Sequence, residues 1–518
     1  MKKLLLPALL VAMAYSSSAQ ALLQGLKASP DSLRKHVYVL ASDSLKGRKT
    51  GSIGQRVAAT YIADKFREAG LSPINPGSAE PFFQSFELYS SPFDFRNASV
   101  KIKDSSRKIY FFSDIMPLSG DGIGNTSIIP YFGSVENRES DSACYAPVVA
   151  AKSIDEGLNR IIQTCNARQE EVKGTFLLVL PTNEVTELNR SRFAFASPLM
   201  QKTSRSGDTL FYTSTSNPIL PNQNSYYSKV LPFLARHPKV DILLTDEILL
   251  KKLFAKEALK EYPHVKGTLV GKALEISGSL PADRLTKVQT ENVVGVFGGA
   301  NKKDEAVVVC AHYDHIGTAI YHTKFADNMA DSIFNGADDN ASGTAAVLEI
   351  ARLLQLAKST GHVPNRSIIL VAFTGEEIGL YGSYYMINNP IIPLKKTAAV
   401  VNIDMIGRSN QSHFDSDMYV YPIILGNFDS SPEQHLKQSA QMAKIGISDP
   451  ISERELDLWT HGSDHDMFVK AGIPSIVITT GEHADYHTPA DEASIINYPR
   501  MERITNFIFY SLWKLANQ

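Results

Sequence analysis

The chain has 518 residues and a formal net charge of −2 at pH 7. This length exceeds that of one ordinary domain, so we expect two or three domains. The balanced charge provides no basic stripe for nucleic acid, which argues against a polyanionic partner. The three cysteines lack CxxC spacing, which argues against a metal site built from paired thiolates.

The first residues have the layout of a secretory signal peptide. Two lysines precede an apolar run that ends at Tyr15, and small residues follow as far as Ala19. The apolar core is too short to cross a bilayer. We therefore predict a signal peptide over residues 1–19 and a protein exported to the periplasm or the extracellular space. The alternative is a buried N-terminal helix. No later stretch of the sequence is long and apolar enough for a transmembrane segment.

The next segment, residues 20–117, begins with a helical pattern and continues as short strands. Ala58, Ile62 and Phe66 recur at helical spacing and predict a buried face. Gly70 is placed to end this helix. Alternating apolar and polar runs after it are typical of strands.

The rest of the chain changes character twice. Residues 118–277 carry Ser-, Asn- and Pro-rich loops around strand-like and short helical runs, which predicts a separate domain inserted into the first. Residues 278–518 alternate apolar strands with helices. This pattern predicts an α/β domain with a mixed, mostly parallel central sheet that helices cover on both faces.

Five short polar stretches mark the C-terminal part. They are AHYDH (311–315), NGADDNASG (335–343), TGEE (374–377), NIDMIG (402–407) and YHTPAD (486–491). Most of them come where an apolar, β-branched run gives way to turn residues, which is how a strand end meets a loop. Side chains at such strand ends can converge on one site.

The acidic residues of these stretches have different alternatives. Asp338 and Asp339 precede a helix, so each could simply cap it. Glu376 and Glu377 follow an apolar strand directly, and two neighbouring buried carboxylates repel unless a cation or a shared proton compensates them. Asp404 follows a buried run, where an unpaired charge is expensive.

The histidines are weaker evidence when each is taken alone. His312 follows a strand, and Asp314 could hydrogen-bond its far ring nitrogen and so fix the tautomer that binds a metal. His487 stands in a turn-rich loop and could be an ordinary loop residue. Together, carboxylates and neutral imidazoles in this ratio suit two zinc ions, with cobalt or manganese as possible substitutes.

The order and content of the five stretches resemble the M28 family of zinc metallopeptidases, cocatalytic aminopeptidases with a phosphorylase/hydrolase-like fold. The resemblance spans residues 287–498 and extends to ASDSLKGRKTGSIGQRVAATYIADKF near the N-terminus. It implies that residues 20–117 and 278–518 form the peptidase domain. The insertion 118–277 is similar to a protease-associated or lid domain, and the alternative is a lineage-specific decoration.

The resemblance implies a role for each metal-site residue. Asp338 would bridge two metal ions, and the peptide bond between Asp338 and Asp339 would be cis. His312 and Asp404 would complete one metal site. In the same way, Glu377 and His487 would complete the other.

The resemblance also implies that Glu376 is the general base and then the general acid. A tyrosine hydroxyl often stabilises the oxyanion in the family, and here Thr460, His461 or Tyr486 could take that place. Asp464 and His465 are expected to support the site, with ordinary loop residues as the alternative.

The reaction implied is hydrolysis of N-terminal residues from peptide substrates. A carboxypeptidase of the same family is the main alternative, although the sequence offers no clear arginine cluster for a terminal carboxylate. A glutaminyl cyclase with one zinc ion would not need the whole ligand set. A non-catalytic binding protein would be expected to have lost ligands or the base, and all of them are present.

Overall fold

The protein is described from a computed structural model. The described residues are 25–90, 99–105, 108–109, 115–119, 122–132, 139–140, 143–167, 174–185, 229–254, 268–278, 286–318, 332–409, 418–448 and 453–518. The predicted signal peptide over residues 1–19 lies outside them and stays a prediction.

The helices and strands of the described residues have the following bounds. The helices are α1 (Pro30–Leu40), α2 (Ile53–Glu68), α3 (Ile154–Ala167), α4 (Leu231–Arg236), α5 (Glu247–Leu253), α6 (Gly343–Ser359), α7 (Tyr381–Asn388), α8 (Glu433–Ala443), α9 (Glu453–His461), α10 (His465–Lys470) and α11 (Tyr498–Ala516). The strands are β1 (Ser72–Pro73), β2 (Phe83–Ser90), β3 (Ser99–Ile102), β4 (Lys108–Ile109), β5 (Ile115–Ser119), β6 (Thr126–Phe132), β7 (Glu139–Ser140), β8 (Ala143–Ala150), β9 (Gly174–Leu180), β10 (Val240–Asp246), β11 (Leu269–Val270), β12 (Leu274–Ser277), β13 (Thr286–Phe297), β14 (Lys302–His312), β15 (Gly317–Thr318), β16 (Ile333–Phe334), β17 (Arg366–Phe373), β18 (Thr397–Ile403), β19 (Tyr419–Leu425), β20 (Gly446–Ile447) and β21 (Ser475–Thr479).

The chain forms two compact units. One comprises Met1–Phe86 and Gln289–Gln518, and the other comprises Glu87–Val288. The second unit interrupts the first, and it is wider at both ends than the predicted insertion over residues 118–277. Strand pairing explains the earlier start, because β3 pairs with β12 and β5 pairs with β10. Both early strands therefore belong to the inserted unit.

The first unit is built on one mixed sheet. Its strand order is β1-β13-β17-β14-β18-β21-β19-β20, with β2 added beside β13. The four central strands β17, β14, β18 and β21 are parallel, whereas β13 and β19 run antiparallel to their neighbours. Parallel neighbours place their carboxyl ends at the same edge of the sheet, which is where ligands bind in open α/β sheets. The predicted fold class is confirmed.

Both faces of this sheet are covered, as the uniformly apolar strands predict. Along β14, Val307 and Val309 join the apolar cluster with α1, α2, α6, α8 and α11, while Val308 and Cys310 join the opposite cluster with α7 and α10. This alternation follows from the period of two along a strand. Each face therefore has its own core.

The predicted helical face of α2 is confirmed. Ala58, Ile62 and Phe66 are fully buried. The helix begins where the Ser52 side chain accepts a hydrogen bond from the main-chain N–H of Gln55, and Gly70 follows its end at φ +68°. The cap and the buried face thus agree on the bounds of the helix.

The inserted unit has its own sheet, in the order β4-β3-β12-β6-β8-β9-β10-β5. Strands β6, β8, β9 and β10 are parallel. Buried side chains such as Leu177, Leu178 and Leu243 form its core. Its resemblance to a protease-associated or lid domain stays a prediction. Among the described residues of both units, no helix combines the length and apolar character that a membrane span needs.

Candidate metal centre

The polar stretches predicted from the sequence lie at the carboxyl ends of the parallel strands. His312 is the last residue of β14, and Asp404 follows β18 directly. Glu376 follows β17 after a short turn, and His487 stands in the loop after β21. The remaining stretch, NGADDNASG, contains the buried segment Ala337–Ser342, which leads into α6. The parallel topology therefore brings all five together at one edge of the sheet.

The first group of ligand atoms surrounds His312. One ligand atom from each of His312, Glu376 and Asp404 lies within 4.8 Å of the other two. Nε2 of His312 is 3.5 Å from Oδ1 of Asp404 and 3.9 Å from Oε2 of Glu376. The other Asp404 oxygen accepts a hydrogen bond of 2.7 Å from the Ser463 hydroxyl. Ser463 thus fixes the carboxylate while one oxygen faces the histidine.

The second group surrounds Glu377. Its ligand atoms come from His315, Asp339 and Glu377, again within 4.8 Å of one another. Oε2 of Glu377 is 3.4 Å from Nε2 of His487, and Oε1 is 2.6 Å from Nδ1 of His315. The short contact makes His315 the residue that orients Glu377. His487 faces the free side of the group.

Asp339 connects the two groups. Its Oδ1 is 3.3 Å from Nε2 of His312, and its Oδ2 is 3.0 Å from Nε2 of His487. Burial alone would lower the pKa of His487, but Glu377 and Asp339 raise it to about 9. A carboxylate that faces both histidines with separate oxygens has the geometry of a bridging ligand.

The prediction that Asp338 bridges the metal ions is therefore wrong. The Asp338 carboxylate points away and accepts hydrogen bonds from the main-chain N–H groups of Gly407 and Arg408. It also lies 3.4 Å from Nε2 of His483. The predicted cis peptide is displaced by one residue in the same way, since it joins Asp339 to Asn340. Adjacent residues in this irregular segment point in different directions, and the segment places Asp339 in the centre.

Asp314 supports His312, although not in the predicted manner. Nδ1 of His312 lies 3.2 Å from the main-chain carbonyl oxygen of Asp314 and 3.8 Å from its carboxylate. The carboxylate instead accepts hydrogen bonds from the Thr50 hydroxyl at 2.8 Å and from the main-chain N–H of Glu376 at 3.2 Å. Asp314 thus links the loop after β14 to the turn that carries Glu376.

Asp491, the last residue of the fifth stretch, holds the segment that carries Asp339. Its carboxylate accepts hydrogen bonds of 3.0 Å from the main-chain N–H groups of Asp338 and Asp339. Burial and the Asp338 carboxylate together raise the pKa of Asp491 to about 6, against the opposing effect of the N–H groups. The sequence pattern contains Asp491 in the fifth stretch but does not single it out as a site residue.

The environment of Glu376 suits proton transfer. Its side chain is 11% exposed. Burial raises the pKa of the Glu376 carboxyl well above its usual value, and Glu377 and Asp404 raise it further, although His312 opposes them. A carboxyl of this kind can accept a proton and give it back, which is what a general base and acid must do.

A pocket opens onto the two groups. It is lined by His312, Asp339, Glu376, Asp404, Met405, Trp459, Gly462, Glu482, Tyr486 and His487. The ring of Tyr486 stacks on that of His487, with centroids 3.8 Å apart. Met405 and Trp459 belong to one small apolar cluster, against which Tyr486 packs. The pocket therefore has an apolar wall and an acidic side chain, Glu482, beyond the metal ligands.

Two of the three predicted oxyanion donors, Thr460 and His461, lie apart from the pocket. The Thr460 hydroxyl donates to the carbonyl of Leu456 in its own helix. His461 is mostly exposed and contacts Asp466. Neither is among the pocket residues, so Tyr486 is the only one of the three predicted oxyanion donors that lines it.

Asp464 and His465 are both buried near the pocket rather than in exposed loops. Burial raises the pKa of Asp464 to about 7 and lowers that of His465 to about 4. Nε2 of His465 lies 3.1 Å from the carbonyl oxygen of Thr460, which fixes the start of α10 against the end of α9. The two residues therefore shape the wall behind Asp404.

The donor set fits metal ions. Oδ1 of Asp404 is buried and accepts no hydrogen bond within the described part of the chain. Buried like charges such as Glu376 and Glu377 need a compensating cation. Imidazole and carboxylate ligands suit zinc. The fold and site thus define an α/β protein with two adjacent groups of candidate metal ligands at the carboxyl edge of its sheet.

Comparison with known proteins relates this region to a family. Residues 292–512 match the family model described as Peptidase family M28. The match covers the four central parallel strands of the sheet and all five polar stretches. Residues 292–512 are therefore similar to peptidase family M28.

Several curated proteins are similar over the same part. A probable zinc metalloprotease of Pyricularia oryzae is 27% identical over 267 residues, which are 44% of this chain and 50% of the relative. Aminopeptidase YwaD of Bacillus subtilis is 28% identical over 251 residues, 46% of this chain and 48% of the relative. Leupeptin-inactivating enzyme 1 of Streptomyces exfoliatus is 32% identical over 214 residues, which are 37% of this chain and 44% of the relative. The chain therefore spans about half the length of these curated relatives.

Solved structures are more distant. An aminopeptidase from Aneurinibacillus sp. strain AM-1 aligns at 15% identity and a TM-score of 0.47, covering 94% of each chain. A zinc aminopeptidase from Bacillus subtilis aligns at 17% identity and a TM-score of 0.45, covering 94% of this chain and 95% of the other. These likenesses are too remote to support a functional argument.

Proposed function

We propose that this chain is an exported zinc aminopeptidase that removes N-terminal residues from peptides at a dinuclear site. The observation that carries the proposal is the position of Asp339, whose two oxygens face His312 and His487. The match of residues 292–512 to the model of peptidase family M28 supports peptide hydrolysis. The signal-peptide pattern before Ala19 supports a periplasmic or extracellular location.

The side chains divide between two ions. His312 and Asp404 would hold one ion and Glu377 and His487 the other, with Asp339 shared between them. His315 would keep Glu377 oriented through its 2.6 Å contact. When bound, zinc polarises a carbonyl and acidifies water, which are the two effects that peptide hydrolysis requires.

Glu376 performs the proton transfers in this proposal. Its carboxylate takes a proton from the attacking water and returns it to the leaving amine, so that the amine departs neutral. The main-chain N–H of Glu376 is held by Asp314 at 3.2 Å, which fixes the base relative to His312. Tyr486 lines the same pocket and is the donor proposed for the oxyanion.

The pocket favours an aminopeptidase over a carboxypeptidase. Among the described residues, its lining includes the carboxylate of Glu482 and no lysine or arginine. A carboxylate attracts the free α-ammonium group of a peptide and repels a terminal carboxylate. The apolar wall of Met405 and Trp459 suits the side chain of the first residue.

The test is hydrolysis of a peptide panel, each peptide in free and N-acetylated form, by the mature protein. Free peptides should lose N-terminal residues and acetylated peptides should survive. Chelation should abolish turnover and added zinc should restore it. Glu376→Gln should lower kcat by about 10²–10⁴-fold while zinc stays bound. Glu433→Gln, a surface change in α8, is the matched control and should have no effect.

Other outcomes would replace the proposal. Cleavage of acetylated peptides from the other end would show a carboxypeptidase. Cyclisation of N-terminal glutamine without cleavage would show a glutaminyl cyclase. If two zinc ions bind and no peptide reacts, a non-catalytic binding protein becomes the favoured alternative.

A further inference from the structure

Arg48 is a fully buried cation beside the candidate metal centre. It comes from the turn before α2, 264 residues before His312, the first candidate ligand in the chain, and its side chain has no exposed surface. Buried arginines need a hydrogen-bond partner for every donor they can supply. The partners of Arg48 show what it holds.

The guanidinium donates only to main-chain carbonyl oxygens in the contacts that the structure gives. Nε donates to Tyr313 at 2.8 Å, Nη1 to Asn335 at 2.7 Å and to Leu40, and Nη2 to Gly336 at 3.0 Å. Tyr313 lies between His312 and Asp314. Asn335 and Gly336 directly precede the segment that carries Asp339. One side chain therefore joins the loop that carries His312 to the segment that carries Asp339.

The surrounding turn fits the same space closely. Gly47, at φ +66°, would place a Cβ atom 2.3 Å from the carbonyl oxygen of Gly317 and 2.4 Å from that of Phe334. The main-chain N–H of His315 donates to the carbonyl of Arg48 at 3.3 Å. Thr50 donates to the carboxylate of Asp314. Successive residues of this turn thus contact the ligand loops.

We propose that Arg48 is a positioning residue for the metal centre, which sets the separation between the loop of His312 and the segment of Asp339. The inference rests on the proposed metal centre and adds a residue from outside the family-matched segment. Arg48 contacts main chain rather than ligand carboxylates, so it acts through the backbone. Its planar fork reaches two loops and the end of α1 at once, which a lysine ammonium on a flexible stem cannot reproduce.

Charge and geometry make opposite predictions for zinc binding. Burial lowers the pKa of Arg48 to about 10, and Asp339 and Asp314 oppose this, so the group stays charged at neutral pH. A buried cation repels zinc, so its removal alone should tighten zinc binding. Loss of loop positioning should weaken it, because changes in groups that orient ligands typically cost about 10–100-fold in metal affinity. The sign of the change separates the two effects.

The experiment compares Arg48→Lys and Arg48→Met with wild type in competition titrations of zinc against a chromophoric chelator. Positioning predicts zinc affinity weaker by about tenfold or more in both variants. The cobalt-substituted Arg48→Lys protein should also show a shifted visible absorption band, which reports ligand geometry. Arg366→Lys is the control. Arg366 is also largely buried and donates to a main-chain carbonyl, but it begins β17 at the opposite edge of the sheet.

Three results would overturn the proposal. Zinc affinity within twofold of wild type in folded Arg48→Lys, an unshifted cobalt spectrum, or tighter zinc binding in Arg48→Met each contradicts positioning. Folding is checked by far-UV circular dichroism. If Arg48→Lys does not fold, Thr50→Val removes the contact of the same turn to Asp314 without removing a buried charge, and unchanged zinc affinity there would count equally against it. Failure of wild type to bind zinc would instead contradict the proposed function.

Discussion

The exchange of roles between Asp338 and Asp339 can be tested by one pair of isosteric variants. Asp339→Asn removes the charge that faces His312 and His487. Asp338→Asn removes the charge that accepts the main-chain N–H groups of Gly407 and Arg408. The two positions are adjacent, both buried, and change in the same way, so each variant controls for the other.

The expected magnitudes differ because the two carboxylates do different things. Two unit charges about 4 Å apart interact by about 4 kcal/mol at an effective dielectric constant near 20. At about 1.4 kcal/mol for each tenfold change, loss of the Asp339 charge should weaken zinc binding by about 10³-fold. Asp338→Asn should lower the free energy of unfolding by about 1.5–3 kcal/mol, the range for a hydrogen bond to a charged group, and change zinc affinity by less than about tenfold.

The assay is zinc competition titration combined with urea unfolding of the metal-free proteins. Asp339→Asn should bind fewer than two zinc ions tightly and lose activity. Asp338→Asn should keep both zinc ions, while its metal-free form should unfold more readily than wild type. If Asp338→Asn loses zinc and Asp339→Asn keeps it, the bridging position read from the structure is refuted.

Two further predictions concern residues beside and beyond the centre. Asp491→Asn should weaken zinc binding by about 10–100-fold, since Asp491 holds the N–H groups of Asp338 and Asp339; unchanged affinity in a competition titration would contradict that role. His36, hydrogen-bonded to the Tyr61 hydroxyl, has its pKa lowered by burial from 6.5 to about 4, so the folded state keeps it neutral and the stability this provides is lost as pH falls below 6.5. When the pH falls from about 7.5 to about 4, the free energy of unfolding measured in urea should fall by about 3 kcal/mol more in wild type than in His36→Gln. Equal falls in the two proteins would contradict this role of His36.

The sequence identified the strands and the edge of the sheet that carries the site. Apolar runs that end in polar residues, such as the run before His312 and the run before Asp404, mark the carboxyl ends of parallel strands. Once the strands are parallel, convergence follows from topology alone. The candidate ligands His312, Glu377, Asp404 and His487 lie together for this reason, and their role as metal ligands stays a prediction.

The sequence could not decide between neighbours in an irregular segment. Asp338 and Asp339 are the same residue type, are both buried and stand next to each other in the segment before α6. Their directions depend on local backbone geometry, since Asp339 and Asn340 have non-helical φ and ψ within that segment. No periodicity applies where the backbone does not repeat. The pattern therefore located the pair but not the bridging residue.

Long-range contacts to main chain were likewise outside the reach of patterns. Arg48 contacts carbonyl groups 265, 287 and 288 residues away, and any residue type supplies a carbonyl. The bounds of the inserted unit depend on the pairing of β3 with β12, which joins strands more than a hundred and fifty residues apart. Neither the contacts of Arg48 nor the pairing of β3 with β12 leaves a signal in the local amino-acid composition.

The candidate ligand carboxylates and the supporting carboxylates of this centre differ in the hydrogen bonds that they accept. Asp314, Asp338 and Asp491 each accept hydrogen bonds from main-chain N–H groups, and Asp314 also accepts one from a hydroxyl. Asp339 instead faces two imidazoles, and one oxygen of Asp404 faces His312 with no hydrogen-bond donor among the described residues. A buried carboxylate that main-chain N–H groups already satisfy gains little from a cation, whereas one that faces imidazoles can exchange their protons for a metal ion. Metal binding should therefore stabilise the folded state through Asp339 and Asp404, and the satisfied carboxylates should hold the loops in place whether or not metal is bound.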